Sequence, residues 1–456
     1  MQELTALILP DVESLLQESP SQPIQEHIRD LVAELHPADT ADLLEHLKDE
    51  EAAAFFTFLP NGTQREVFDF LTETHQVRLI EALGPQRMAP VIEGMSSDDR
   101  ADLVKALPEP VVHVLLPLVA QAERNDIRRL VEYEEGTAGA VMSSEYAALS
   151  AELTAAAALE RLRQIAPHRE TIYYVYVVNQ ERRLVGVVSL QELILAEPGR
   201  RLQELMHTHL IRVNVHDSQE EAARTLSHYD FIAVPVVDAG ERLVGIVTYD
   251  DVLDIVEEED TQDVHQLGAT QPLEQPYFDT GFWAMVRKRA PWLFLLFVGE
   301  MFTGNALEHY GATLEHALTL VFFIPLITSS GGNSGSQSAT LITRALATGD
   351  VTLRDGLRIF LRESSMGLTL GLFLGIIGCA RALVWGHGPL IAVTVLLALV
   401  AVVLCGTLTG SLMPLAFKRL GFDPAVTSSP FVASVVDVTG IVVYFSIAQL
   451  LLHVGG

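Results

Sequence analysis

Apolar residues recur at three- and four-residue spacing through residues 1–132, the period of helices with one buried face. Breaks fall at Pro37, Pro60-Asn61-Gly62, Gly84-Pro85, Pro108 and Pro110. The stretch therefore reads as a stack of short helices rather than a few long ones. The pattern changes in residues 137–256. Strand-like runs at 172–178 and 232–237 are each followed by a turn, a second strand and an acidic helix. It changes again in the last third. Apolar runs cover 291–307, 317–341, 368–385, 390–414 and 425–452. Each reaches the roughly 17 residues or more that a membrane-crossing helix needs.

Two internal repeats sharpen this division. Asp39-Thr40-Ala41-Asp42-Leu43 is echoed by Asp99-Arg100-Ala101-Asp102-Leu103. Each copy opens a helix with small or acidic residues, and capping is the plain role for Asp39, Asp98 and Asp99. The echo suggests a small superhelical domain over 1–132. The second repeat is clearer. Arg183-Leu184-Val185-Gly186-Val187-Val188-Ser189 returns as Arg242-Leu243-Val244-Gly245-Ile246-Val247-Thr248, with Met142 and Met206 near the start of each unit. The order helix, strand, turn, strand, helix occurs twice. It resembles a pair of CBS domains, 137–200 and 201–256, small α/β modules that pack as a pseudo-two-fold pair. The resemblance implies an adenine nucleotide such as ATP at a G-x-x-T-x-x-D pattern, matched here by Gly245, Thr248 and Asp251. The first copy has Gly186 and Ser189 but Glu192 at the acid position. A purely structural pair stays open.

Charge separates the halves. Residues 1–281 carry 20 Lys and Arg against 51 Asp and Glu, a net of −31, whereas 282–456 carry +2. An acidic surface repels nucleic acid and attracts cations. The acids are densest from Tyr249 to His265, where Val252, Leu253, Ile255 and Val256 suit one helical face. Like charges three and four residues apart destabilise a bare helix, and cations bound against another acidic surface would steady it. A solvated face is the simpler account. Pro272 and Pro276 mark a linker, so 249–281 reads as a connecting helix and linker. The two cysteines, Cys379 and Cys405, lie in apolar runs and offer no disulfide framework or zinc spacing. The opening MQELTALILPDVESLL has no basic stretch or cleavage site, so a secretory signal is not expected.

Within 282–456, Lys and Arg flank the apolar runs on alternate sides, at Arg287, Lys288 and Arg289, at Arg344, Arg354, Arg358 and Arg362, and at Lys418 and Arg419. Arg381 is the exception. This alternation predicts a cytosolic acidic half and an outer C-terminus. The second run, with Pro325 and Gly331-Gly332-Asn333-Ser334-Gly335, is poor material for an unbroken helix. Its Asn333, Ser334, Ser336, Gln337 and Ser338 carry oxygen atoms suited to a hard cation or its water shell. The fifth run holds one acid, Asp437. A carboxylate at the bilayer centre costs about 2.5–3.5 kcal/mol on insertion scales and normally faces a water-filled cavity or an ion path, the plainer alternative being a buried structural Asp bonded to a neighbouring Ser or Thr.

Over essentially its whole length the chain resembles the MgtE family of magnesium channels and transporters. Pro325 with GGNSGSQSATL, and SSPFVASVVDVTG around Asp437, carry the resemblance most specifically. It implies a multidomain protein: an all-α superhelical N-domain, an α/β CBS pair, a connecting plug helix and a five-helix membrane domain. It also implies a homodimer in lipid with one pore lined by the second and fifth spans. There Asp437 of each subunit would hold hydrated Mg²⁺, with Asn333 at the inner mouth and Ala433 setting the bore. Further Mg²⁺ ions would close the cytosolic half by bridging Asp98, Asp99 and Asp102 to Asp251, Asp254, Glu259 and Asp263. Gln262 stands where the family often has an acid, which puts one bridging ion in question. A broader divalent-cation importer remains the nearest alternative. A CBS-regulated anion channel fits poorly, because the fifth span has an acid and no base. No nucleophile–base set, P-loop or zinc pair marks an enzyme.

Overall fold

A computed structural model describes residues 3–17, 22–273, 277, 280–311, 313 and 317–452. The chain forms two compact units, Met1–Glu257 and Glu258–Gly456.

The first unit opens with short helices from Glu3–Gln17 to Gln121–Val131. Their apolar stripes meet in one core around Phe55, Phe56, Phe68, Ile80, Ile92 and Leu115. The Asp-rich repeat marks helices Pro37–His46 and Ser97–Ala106. Residues 40, 41 and 43 of the first copy and 100, 101 and 103 of the second are buried at matching positions. The caps differ from expectation. His36 accepts from the Ala38 amide, and Ser96 accepts from Asp99 at 3.3 Å. Asp39, Asp98 and Asp99 sit two or three residues past the caps, in the first turn, where a negative charge still suits the helix dipole.

Two three-stranded sheets follow. β1 (Tyr146–Ser150) runs parallel to β2 (Thr171–Val178), which pairs antiparallel with β3 (Leu184–Ser189). β4 (Val213–Asn214), β5 (Ala233–Val237) and β6 (Leu243–Thr248) repeat that arrangement. The sequence pattern missed β1 and β4, because both are short and β4 has only two residues. Tyr146, Tyr176, Leu184, Val237, Leu243 and Ile246 form a core shared by the two sheets. The repeated glycines have a packing role. A Cβ on Gly186 would strike Met206, and one on Gly245 would lie 2.9 Å from the Ser143 carbonyl and against Met142.

Helix Tyr249–Leu267 is continuous. Val252 and Ile255 are its buried apolar residues, while Leu253 and Val256 are exposed, so its apolar face is narrower than the sequence predicts.

The second unit contains helices Phe282–His309, Ile324–Ala347, Gly356–Val384, Pro389–Arg419 and Ser429–Leu452. At 1.5 Å per residue, even a 24-residue helix spans about 36 Å, enough for the hydrocarbon core. Among the described residues, four segments are long and apolar enough to cross a membrane: Phe282–His309, Leu353–Val384, Pro389–Arg419 and Ser429–Leu452. The second predicted run, 317–341, falls short in composition, because Ser, Gly, Asn and Gln fill the middle of Ile324–Ala347. That helix is nevertheless unbroken, contrary to the sequence expectation. Pro325 lies in its first turn, where the missing N–H leaves no bond unmade. Its glycines sit where helices touch. A Cβ on Gly406 would overlap the carbonyl oxygen of Gly331, and one on Gly410 that of Gly335. Close packing makes glycine tolerable inside this helix.

Candidate ion path and acidic interface

Helix Ser429–Leu452 buries Val432, Val436, Gly440, Ile441, Tyr444, Phe445 and Ala448. These residues recur at three- and four-residue steps and fix which face meets its neighbours. Asp437 follows Val436 by about 100° of rotation and lies half-buried beside that face. Ala433 is one turn earlier. Helix Ile324–Ala347 crosses here through Gly332. A Cβ on Gly332 would stand 3.5 Å from the Ala433 Cβ and 3.6 Å from Asp437 Oδ1. The missing side chain therefore leaves room directly in front of the carboxylate. Asn333, the next residue, is exposed, and its Nδ2 donates to Ser329 Oγ at 3.3 Å. The two helices are also tied by Ser336 Oγ, which donates to the Ser429 carbonyl at 3.1 Å.

Two carboxylates here escaped the sequence reading. Glu300 of helix Phe282–His309 interacts electrostatically with Asp437. Glu363 of helix Gly356–Val384 accepts from Ser338 Oγ at 2.7 Å. The signal for Glu300 was the one that flagged Asp437, a single acid in a long apolar run.

The first unit gathers a different set. Helix Ser97–Ala106 presents Asp98 and Asp99 towards the start of helix Tyr249–Leu267. Asp98 is 5% exposed, and its Oδ1 is buried with no hydrogen-bond partner. Burial raises its pKa well above the carboxylate range, and Asp251, Asp99 and Glu170 push it further. Burial also raises Asp251, to about 6, against the bonds it accepts from Thr248, at 2.5 Å from Oγ1 and 3.1 Å from the amide. Glu170 is raised to about 7, by burial first and then by Asp251 and Glu145. Asp99 is raised by desolvation, then by Asp102, Asp254 and Asp250. Asp254 is raised by desolvation, then by Glu257 and Asp250. Asp102 is raised by desolvation but turned to Lys105, whose Nζ donates at 2.7 Å.

The structure thus brings Asp98 and Asp99 together with Asp251 and Asp254, and adds Glu170, Glu145 and Asp250. Glu170 went unnoticed because it precedes a strand outside every acidic run. Among the described residues, no three His, Cys, Asp or Glu side chains gather closely enough to hold a bare metal ion. Mg²⁺ sheds water reluctantly and typically takes one or two carboxylates with several waters, so paired acids suit it. Glu259 and Asp263 lie one turn apart on the same helix, within the second unit. In that unit Arg344 Nη1 donates to Asp260 Oδ1 at 3.0 Å.

Neutral contacts and one ion pair hold the same interface. Ser97 Oγ accepts from the Ser144 amide at 2.7 Å and lies 3.2 Å from Ser143 Oγ. Arg100, 2% exposed, donates through Nη2 to Glu145 Oε1 at 2.9 Å and to the Met95 carbonyl at 2.7 Å.

The predicted nucleotide residues have local partners. Thr248 and Asp251 bond to each other at the start of their helix, as Ser189 and Glu192 do in the first CBS unit. Gly245 packs on Met142.

Comparison with known proteins identifies the framework. Residues 324–447 match a family described as a divalent cation transporter, 35–136 the MgtE intracellular N domain, and 138–199 and 202–258 the CBS domain. The magnesium transporter MgtE of Thermus thermophilus is 40% identical over 96% of this chain and 98% of its own length. This chain belongs to the MgtE family. It is accordingly a magnesium transporter of the membrane, not an enzyme, and Mg²⁺ is the ion it carries. The Bacillus subtilis MgtE is 29% identical over 93% of the chain and 94% of its own length. Among solved structures, the cytosolic domain of the Mg²⁺ channel MgtE in complex with ATP is 38% identical, with a TM-score of 0.51. It aligns with 54% of this chain and 99% of its own. The soluble part of a magnesium transporter is 31% identical at the same TM-score, over 56% of this chain and 99% of its own.

Proposed function

We propose that this MgtE-family transporter is a homodimeric, Mg²⁺-selective import channel of the cell membrane, closed by Mg²⁺ on the cytosolic side. The observation that supports the pore is the close approach of Gly332, which carries no side chain, to the Asp437 carboxylate and to Ala433 one turn earlier. Two such carboxylates about a two-fold axis would hold an ion with its water shell and avoid most of the dehydration cost. Asn333 lies beside this point at the inner mouth. The acidic half faces the cytosol and the C-terminus the outside.

Closure rests on the acids. Asp98 and Asp99 lie near Asp251 and Asp254, Asp102 follows them on the same helix but pairs with Lys105, and Glu259 and Asp263 continue the series along the plug helix. Ions that bind only the closed arrangement stabilise it by RT ln(1 + [L]/Kd). At low Mg²⁺ the carboxylates repel, the domains separate and uptake resumes. ATP or another adenine nucleotide at Gly245, Thr248 and Asp251 would add a second input, a reading supported by the relative solved with ATP. The layout 1–132, 137–200, 201–256, 249–281 and 282–456 assigns these roles to N-domain, CBS pair, plug and pore. A broader range including Co²⁺ and Mn²⁺ is the second reading, favoured by the matched family's description as a divalent cation transporter.

The deciding experiment is ion flux into liposomes containing the purified protein. Asp437→Ala is expected to abolish Mg²⁺ entry while the protein remains folded. Wild-type flux in that variant would sink the pore assignment. Equal rates for Mg²⁺, Co²⁺ and Mn²⁺ in the unaltered protein would favour the broader reading.

A further inference from the structure

Glu300 is the only charged residue between Arg289 and Glu308 of helix Phe282–His309, and nothing said so far of the ion path uses it. It lies about 16 Å along the helix axis from Arg289, deep in a run read as membrane-crossing. A carboxylate facing lipid at such depth is strongly disfavoured, and acids there normally face water or an ion. Glu300 is exposed on this chain, and among the described residues it has no hydrogen bond or ion pair.

The neighbouring helix shows what lies beside it. Helix Phe282–His309 meets helix Ser429–Leu452 at two places. A Cβ on Gly299 would stand 3.7 Å from the Ser434 Cβ. Tyr310, just past the helix end, stacks on Phe445 with ring centroids 5.3 Å apart, and its Oη lies 3.1 Å from Ser446 Oγ. Gly299–Ser434 and Tyr310–Phe445 share one sequence offset, so the two helices run parallel and in step. That offset sets Glu300 level with Val435, about 3 Å along the axis from the level of Asp437. The two carboxylates interact electrostatically. Thr303 follows Glu300 by three residues on the same face, and its Oγ1 is buried with no hydrogen-bond partner.

We propose that Glu300 is a second ion-binding residue of the path, holding hydrated Mg²⁺ together with Asp437. The inference rests on Asp437 lining that path. Mg²⁺ keeps most of its waters and is typically held through one or two carboxylates, and Thr303 Oγ1 accepts a hydrogen bond from the water shell. Two like charges at one depth repel, and a cation between them replaces repulsion by attraction. Because that attraction scales with the charge of the ion, a second carboxylate favours a divalent cation over a monovalent one.

Flux into liposomes containing the full-length protein, measured across a range of Mg²⁺ concentrations, tests this. Glu300→Gln keeps the shape and removes the charge. It is expected to raise the half-saturating Mg²⁺ concentration by about tenfold, with a smaller change in maximal rate. Glu300→Asp keeps the charge on a shorter side chain, so an intermediate value is expected. An unchanged half-saturating concentration in Glu300→Gln overturns the proposal. A loss confined to the maximal rate does so too, because that is what a packing role would produce. If Glu300→Gln folds poorly, Glu300→Asp decides alone, and an unchanged value there overturns the proposal. Wild-type flux in Asp437→Ala would sink the ion path itself. Loss of flux in Asp437→Ala beside a normal Glu300→Gln curve would sink this inference alone.

Discussion

Single side chains set the electrostatics of the acidic half. Arg100 is a cation built into an interface otherwise rich in acids. Replacing it by Met keeps much of its volume but leaves Glu145 without its partner. Because Glu145 is 27% exposed, the loss should stay near that of a single charged hydrogen bond, roughly 1–3 kcal/mol. A lower midpoint for the first thermal transition of Arg100→Met, relative to the parent, checks this. Glu170 and Asp251 give a pH dependence. Their ordinary values are 4.5 and 3.8, and the fold holds them at about 7 and about 6. The folded form therefore keeps protons that the unfolded chain has released. Stability without divalent cations should be greatest below about pH 4 and fall as pH climbs through 7. Mg²⁺ should restore it at pH 7.5 and do little at pH 4. Thermal shifts in EDTA and in Mg²⁺ at the two pH values check this, and stability that rises with pH in EDTA would refute it.

At the scale of elements, the helical unit 258–456 depends on how closely its helices approach. Gly406 lies against the backbone of Gly331, one residue before the glycine that faces Asp437. Gly406→Ala places a methyl group where a carbonyl oxygen stands, so helices Pro389–Arg419 and Ile324–Ala347 must part. Overpacking of this kind costs roughly 1–3 kcal/mol. The expected result is lower thermal stability in detergent together with reduced flux, since the Gly332–Asp437 alignment depends on the same contact. Unchanged stability would mean the helices have slack. The unbroken course of Ile324–Ala347 has the same origin. Glycine weakens an isolated helix by about 1 kcal/mol per residue, but each one here permits a backbone contact that a larger residue would block.

For the whole molecule, the central question is whether the acids act together. Limited proteolysis of the purified protein across a Mg²⁺ titration, with Ca²⁺ as control, reads this directly. Protection of the segments around Gly136 and Pro272 as Mg²⁺ rises would mean that the acids are cemented by the ion. An unchanged cleavage pattern would mean the face is only solvated, leaving the pore without its sensor. Much of the architecture was legible in the sequence because it follows from periodicity. Helical spacing marked the N-terminal stack, duplicated strands marked the CBS pair, and apolar runs marked the membrane unit. Asp437 stood out in the sequence because a lone acid in such a run is costly, and its role in transport is a proposal. What the sequence could not decide were contacts between distant segments. Nothing local shows that Gly332, rather than Asn333, stands before Asp437, because that depends on which faces of two helices meet. Nothing local shows that Glu170 joins Asp98 and Asp251, or that Glu300 stands within a turn of Asp437. Strand pairing, domain docking and helix packing bring those charges together. The side-chain period of a helix or strand says which residues share a face, and only tertiary packing says what that face meets.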